Sequence, residues 1–248
     1  MSTATTAAKT TTTPLSAGAR LAGKPIRVGL MVPINNTTFD DEIRYWLPPG
    51  ATCTTLRIPR GKGLLTPETL PAYKAQALAL AKQFATPDID VVAYGCTAAG
   101  FISGPAGDAQ LAAELAQITG KPVVTTARSM VLALQEVGAK NIALVTPYTD
   151  TVNDQLKAFL ADGGIGVRRF NSFYAPDVDA LGRIQSAAVD KLARETVDEA
   201  CDALFIACAQ LPTRDILDGL RRDLGRPVFS SNWGTTRQAL RALNTSAA

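Results

Sequence analysis

Short apolar runs alternate along this chain with longer stretches in which apolar positions recur every three or four residues. The runs at residues 26–32, 51–58, 91–94, 123–125, 142–146, 166–173, 203–207 and 228–230 are brief and rich in β-branched side chains, which predicts strands rather than buried helices. Helical spacing marks residues 38–47, 67–84, 108–119, 129–137, 151–161, 179–199, 213–224 and 234–243. Several helix ends are legible. Thr66-Pro67-Glu68 supplies a hydroxyl, a proline and an acid in the order of a helix N-terminus. Gly120, Gly138 and Gly225 each follow a helical pattern just before the next strand. Strands alternating with helices predict an α/β protein, its mainly parallel sheet covered by helices.

The pattern also repeats. Val28 to Pro33 is echoed by Ile142 to Pro147, Asp90 to Ala99 by Asp202 to Leu211, and Lys121 to Thr126 by Arg226 to Ser231. The three echoes keep their order and are each displaced by roughly 110 residues, which predicts two half-domains related by a pseudo-two-fold axis. Residues 24–127 with 228–248 are expected to form the first half and residues 128–227 the second. Residues 1–23, Thr/Ala-rich and poor in large apolar side chains, read as a disordered tail.

Ligands of open α/β sheets collect beyond the carboxyl ends of the strands. Cys96 and Cys208 each stand where an apolar run gives out, in matching surroundings, so the repeat brings the two thiols face to face across a cleft. Residues 33–36 and 147–150 fall on the same rim. Composition narrows the chemistry further. The chain has no histidine, which removes triads, Cys-His dyads and imidazole metal sites and leaves proton transfer to Cys, Asp, Glu, Lys or Tyr. The four cysteines show no C-x-x-C pair and no zinc spacing, and read as reduced thiols of a cytoplasmic protein. A formal charge of +3 without a basic stripe gives no reason to expect nucleic acid, and no window is apolar for long enough to span a membrane. P-loop, G-x-G-x-x-G and metal signatures are missing, so cofactor independence is expected.

Small residues follow Cys96 (Thr97, Ala98, Ala99, Gly100), so a ligand can approach their backbone N–H groups, and those dipoles are expected to lower the thiol pKa. Cys208-Ala209-Gln210 repeats the arrangement. Either cysteine alone reads equally well as an inert core thiol, and only the matched pair points to catalysis. Cys53 and Cys201 read as core or incidental. Asn36 offers an amide to a carboxylate, while Thr37 or Thr38 is expected to cap the next helix. Tyr148 stands in the equivalent turn of the second half, as a substrate hydrogen-bond donor or as a packed tyrosine. Arg57, Arg60 and Lys62 form a basic patch, either a solvated edge or a device that steers a dianion towards the cleft.

In combination, Val32-Pro33 with Asn36-Thr37-Thr38, Tyr94-Gly95-Cys96-Thr97, Val145-Thr146-Pro147-Tyr148, Ile206-Ala207-Cys208 and Pro227-Val228 with Ser230-Ser231 resemble the aspartate/glutamate racemase superfamily, in its maleate cis-trans isomerase and arylmalonate decarboxylase branch. The resemblance runs from Ile26 to Leu243 and implies two Rossmann-like half-domains with the active site between them. It implies Cys96 and Cys208 as the catalytic pair, and Asn36, Tyr148 and the N–H groups after each cysteine (Thr97, Ala98, Ala209) as carboxylate ligands. Arylmalonate decarboxylases keep only the second cysteine, so this chain tilts towards a two-thiol enzyme. Maleate isomerases carry an asparagine where this chain has Pro176-Asp177-Val178-Asp179, which departs from their pattern. The expected function is a cofactor-independent isomerase of a small dicarboxylate, maleate to fumarate first, with a racemase, a malonate decarboxylase and a non-catalytic carboxylate sensor as rivals. The family also implies a homodimer.

Overall fold

Two four-stranded parallel sheets carry the apolar runs of the chain. The computed structural model describes residues 20–21, 24–61 and 63–245, so Lys62 and nearly all of the tail expected over 1–23 lie outside the described residues. At the start, Arg20–Leu21 (β1) pairs antiparallel with Lys24–Pro25 (β2). The first sheet holds β3 (Arg27–Pro33), β4 (Thr52–Ile58), β5 (Val91–Tyr94) and β6 (Val123–Thr125) in the order β4-β3-β5-β6. The second holds β7 (Asn141–Thr146), β8 (Gly166–Ser172), β9 (Ala203–Ile206) and β10 (Val228–Ser230) in the order β8-β7-β9-β10. Adding four to each label converts one sheet into the other, and the three sequence echoes fall on β3/β7, β5/β9 and β6/β10.

The acid that opens the second echo has a structural reason in both halves. Asp90 accepts from the Arg27 amide at 2.8 Å and pairs with its guanidinium, while Asp202 accepts from the Asn141 amide at 2.7 Å. Each carboxylate fixes the start of the neighbouring central strand. At the far end, Met31 lies beside Tyr94 and Val145 beside Ile206, so the segments after these strands emerge together.

Among the described residues, ten α-helices cover the sheets. They are α1 (Phe39–Trp46), α2 (Leu70–Ala81), α3 (Thr97–Ile102), α4 (Gly104–Thr119), α5 (Thr126–Glu136), α6 (Asp150–Asp162), α7 (Val178–Gly182), α8 (Ser186–Thr196), α9 (Leu217–Leu224) and α10 (Ser231–Thr245). Two of them cross over. Ala127, Met130, Val131 and Leu134 of α5, which follows β6, are buried with the strands of the second sheet. Ala239, Leu240 and Leu243 of α10, which follows β10, are buried with Val28, Leu30 and Val32 of the first.

Several expectations are corrected. Residues 228–230 pair with β9 and belong to the second sheet, and only the helix after them joins the first half. The helix expected over 179–199 is broken into α7 and α8, because Gln185 is extended and ends the run between them. Residues 66–69 form a threonine-locked turn, so α2 begins at Leu70 with Pro71 in its first turn. Gly120, Gly138 and Gly225 do adopt the left-handed backbone that ends a helix, with φ of 67°, 69° and 61°.

Candidate active site

Cys96 is the N-cap of α3, the one helix that periodicity did not reveal. Gly95 makes this position reachable: a Cβ there would lie 2.8 Å from the Phe39 ring and 3.0 Å from the Met31 carbonyl oxygen, so only glycine lets the chain pass. The amides of Ala98 and Ala99 point at the Cys96 sulfur and favour its thiolate, as do the Arg60 charge and the nearby Tyr73 hydroxyl. Burial outweighs them, and the Cys96 pKa lies above the ordinary thiol value. The N–H groups are placed as foreseen and act in the expected direction, but dehydration of a buried anion is the larger effect and sets the net shift.

Cys208 follows β9 with a φ of 125°, in a region that side chains avoid. Its amide donates to Ser231 Oγ at 3.0 Å, and the Thr97 hydroxyl donates to the same oxygen at 3.3 Å, so one serine joins the loops that carry the two thiols. The Gln210 amide reaches the Cys208 sulfur at 3.5 Å. Burial again raises the thiol pKa, against the hydrogen bond from Tyr148 and the amides of Gln210 and Leu211; the nearby Cys96 raises it further. Tyr148 is set by Asn153, whose Nδ2 donates to the Tyr148 carbonyl oxygen at 2.8 Å, and its ring stands edge-on to Phe101.

A seam of hydrogen bonds binds the two halves beside the thiols. Asn36 Nδ2 donates to the Ala209 carbonyl oxygen at 3.0 Å, and its Oδ1 accepts from the Thr38 and Phe39 amides. Thr38 stands at the N-cap of α1 as expected, but the side-chain oxygen that accepts from the amides there is that of Asn36. Thr37 and Thr38 instead hold Gln210 and its carbonyl. Below them the buried Glu42 carboxylate accepts from the Thr213 amide and hydroxyl, the Arg214 amide (2.7 Å) and Asn232 Nδ2 (2.7 Å). Asn232 Nδ2 also reaches the Ala209 carbonyl oxygen at 3.2 Å. Burial raises the Glu42 pKa despite these donors.

Cys96, Cys208, Asn36, Tyr148, Thr97, Ala98 and Ala209 all line one cavity of about 60 Å³, with Asn35, Arg60, Leu64, Leu65, Val152 and Leu181 among the other walls. Each residue named from the sequence as a site candidate therefore borders this one cavity. Ser231, Glu42 and Asn232 were missed; the echo through Ser230-Ser231 was the only sign of the first, and nothing in the sequence marked the others. Cys53 and Cys201 lie elsewhere: burial pushes the Cys53 thiol up to about 11, and Cys201 donates to Asp198 at 3.2 Å. A larger groove of about 690 Å³, bordered by Asp108 and Arg128, contains neither cavity thiol. Among the described residues no cluster of three Cys, Asp or Glu could hold a metal ion, and no helix is long and apolar enough to cross a membrane.

Residues 60–248 match the family model described as arylmalonate decarboxylase. The chain belongs to that family. It is 28% identical to maleate isomerase of Geobacillus stearothermophilus over 233 residues, covering 89% of this chain and 93% of the relative. It is 30% identical to arylmalonate decarboxylase of Bordetella bronchiseptica over 185 residues, or 72% and 77% of the two chains. A Nocardia farcinica maleate cis-trans isomerase variant with a covalently bound succinylcysteine intermediate superposes with a TM-score of 0.79 at 26% identity, over 88% of this chain and 93% of that one. Family membership and fold agree with the branch named from the motifs, and the two half-domains are those of a maleate isomerase-like protein.

Proposed function

We propose that this chain is a cofactor-independent isomerase that converts maleate to fumarate with Cys96 and Cys208. The observation that carries the reading is the meeting of both sulfurs in one small cavity at the seam between the halves. The family is one of enzymes, and the sensor reading is dropped.

The substrate carboxylate next to the reacting carbons is held by N–H groups after the cysteines and by the amide of Asn36. The Cys96 thiolate adds to one alkene carbon, forming a C–S bond while the π electrons move into the conjugated carboxylate. Fixed donors stabilise that enediolate. Cys208 gives its proton to the adjacent carbon, and the new single bond rotates. The Cys208 thiolate then takes the proton back, and the electron pair expels Cys96 to leave fumarate. Atoms and electrons balance without a redox partner.

Support for a second reading comes from the walls. Leu64, Leu65, Val152 and Leu181 give the cavity an apolar side. In the stretch 176–179, which departs from the maleate isomerase pattern, Asp177 caps α7 by accepting from the Ala180 amide at 2.7 Å. An apolar substituent at a malonate or chiral α-carbon would suit such a wall, in a decarboxylation or racemisation. Incubation with maleate, phenylmalonate and aspartate in heavy water, followed by NMR, separates these: fumarate supports the first reading, while label at Cα or carbon dioxide release supports the second. Loss of either thiol, in Cys96→Ser or Cys208→Ser, should lower turnover by about 10³-fold or more. Wild-type turnover in both variants refutes two-thiol chemistry. The four unpaired thiols support the cytoplasm as its compartment.

A further inference from the structure

Among the described residues, the cavity is lined by one charged side chain. Arg60, on the loop between β4 and α2, stands among its walls with Leu64 and Leu65 of the same loop, and no carboxylate of the described residues lines it. The Arg60 guanidinium donates to the Gly63 carbonyl oxygen of the same loop, and it has no acidic partner among the described residues. Its neighbour Arg57 is committed elsewhere, donating to the Asn36 carbonyl oxygen at 2.6 Å. A half-buried guanidinium facing a cavity keeps most of its planar donors unmatched, and a carboxylate is the ligand whose geometry satisfies two of them at once.

We propose that Arg60 binds the far carboxylate of a 1,4-dicarboxylate and sets the selectivity of the site for diacids over monoacids. The proposal rests on reading the cavity as the carboxylate site and adds what the thiols leave open. The near carboxylate sits against the N–H groups of the strand ends, beside the carbons that the sulfurs reach. The far one extends towards the β4–α2 loop. Because the guanidinium is also close enough to favour the Cys96 thiolate, a bound dianion shares that charge with the sulfur. A monoacid of the same length has nothing to place there and meets an unpaired cation and leucines.

Protection of Cys96 from iodoacetamide, read by peptide mass spectrometry, tests this without turnover. The probes are succinate and butyrate, which share a four-carbon chain and differ by one carboxylate. Half-protecting concentrations are used, so that each variant is compared with its own unprotected rate. In the wild type, succinate should protect at a concentration at least about tenfold below that of butyrate. Arg60→Gln should raise the succinate value by about tenfold or more and leave butyrate within about twofold, with Arg60→Lys in between. Equal succinate protection in Arg60→Gln and wild type overturns the proposal, as does equal weakening of both probes. If the wild type leaves maleate unchanged yet shows this discrimination, the isomerase reading falls and the role of Arg60 stands. If the wild type makes fumarate and Arg60→Gln keeps its KM for maleate, Arg60 alone falls.

Discussion

The Cys208 amide donates to the Ser231 hydroxyl oxygen at 3.0 Å, across the joint where β10 becomes α10. A cysteine at φ 125° costs on the order of 1–3 kcal/mol, and the bond to Ser231 helps to hold it there. Ser231→Ala removes the acceptor and the link to Thr97. We expect turnover to fall by about 10–100-fold with a stability loss of only about 1–2 kcal/mol, since one buried hydrogen bond is lost. The discriminating measurement is the alkylation rate of Cys208 relative to Cys96, which should change in Ser231→Ala. An unchanged ratio with unchanged turnover would show that the serine does not position the thiol.

Glu42 ties α1 to the turn that precedes α9, and through Asn232 to the carbonyl after Cys208. Glu42→Ala leaves buried donors without an acceptor and should destabilise the chain by about 2–3 kcal/mol. Urea denaturation checks this. Glu42→Gln should recover only part of the loss, because its NH₂ group meets donors on one side. Full stability in Glu42→Ala would mean that water replaces the carboxylate.

Burial raises both cavity thiols, so neither is appreciably ionised at neutral pH in the free protein. Addition requires the thiolate. The sign follows: kcat/KM for maleate should climb with pH through the neutral range, close to tenfold per unit while the thiol remains protonated, and level off on the alkaline side. Arg60→Gln should move the rise to higher pH. A flat profile between about pH 6 and 9 would contradict the assignment of a raised thiol as nucleophile.

Asp108 borders the larger groove, donates nothing, and accepts from Thr125 at 2.6 Å while its other oxygen has no partner. Burial is the main reason that its pKa is raised from 3.8 to about 6. A carboxyl that binds its proton more tightly when folded favours the folded state at low pH, and that contribution is lost as pH rises through about 6. Asp108→Asn should therefore raise Tm more at pH 7.5 than at pH 5, by thermal melts at both. Equal shifts would place the carboxylate in contact with water.

Strand positions were legible because parallel strands covered by helices read as unbroken apolar runs: Val91–Tyr94 and Val228–Ser230, fully buried, and the half-buried Val123–Thr125 have the bounds that the pattern gave. The thiol pair was legible because its echo is local and repeated. What escaped was set by contacts between distant segments. The six residues of α3 are too short for a period, and the break before Gln185 is marked only by Gly182, the last residue of α7, inside an otherwise helical pattern. Glu42 sits in a run of three acids that reads as a solvated helix start, yet it is turned inward by donors some 170 residues away. Asn36 was foreseen as a ligand, and its second task as a cap and clamp depends on a carbonyl in the other half.

The reciprocal placement of α5 and α10 has a consequence for how the protein can be divided. Cutting the chain at Gly138, between repeats, would leave a front fragment whose last helix has no sheet to cover, and a rear fragment in the same position at its own end. Each would expose an apolar stripe shaped for the other piece. The two are thus built as mutual chaperones, better suited to reassembly on co-expression than to a life apart, and the duplication visible in the sequence is one whose copies have traded parts.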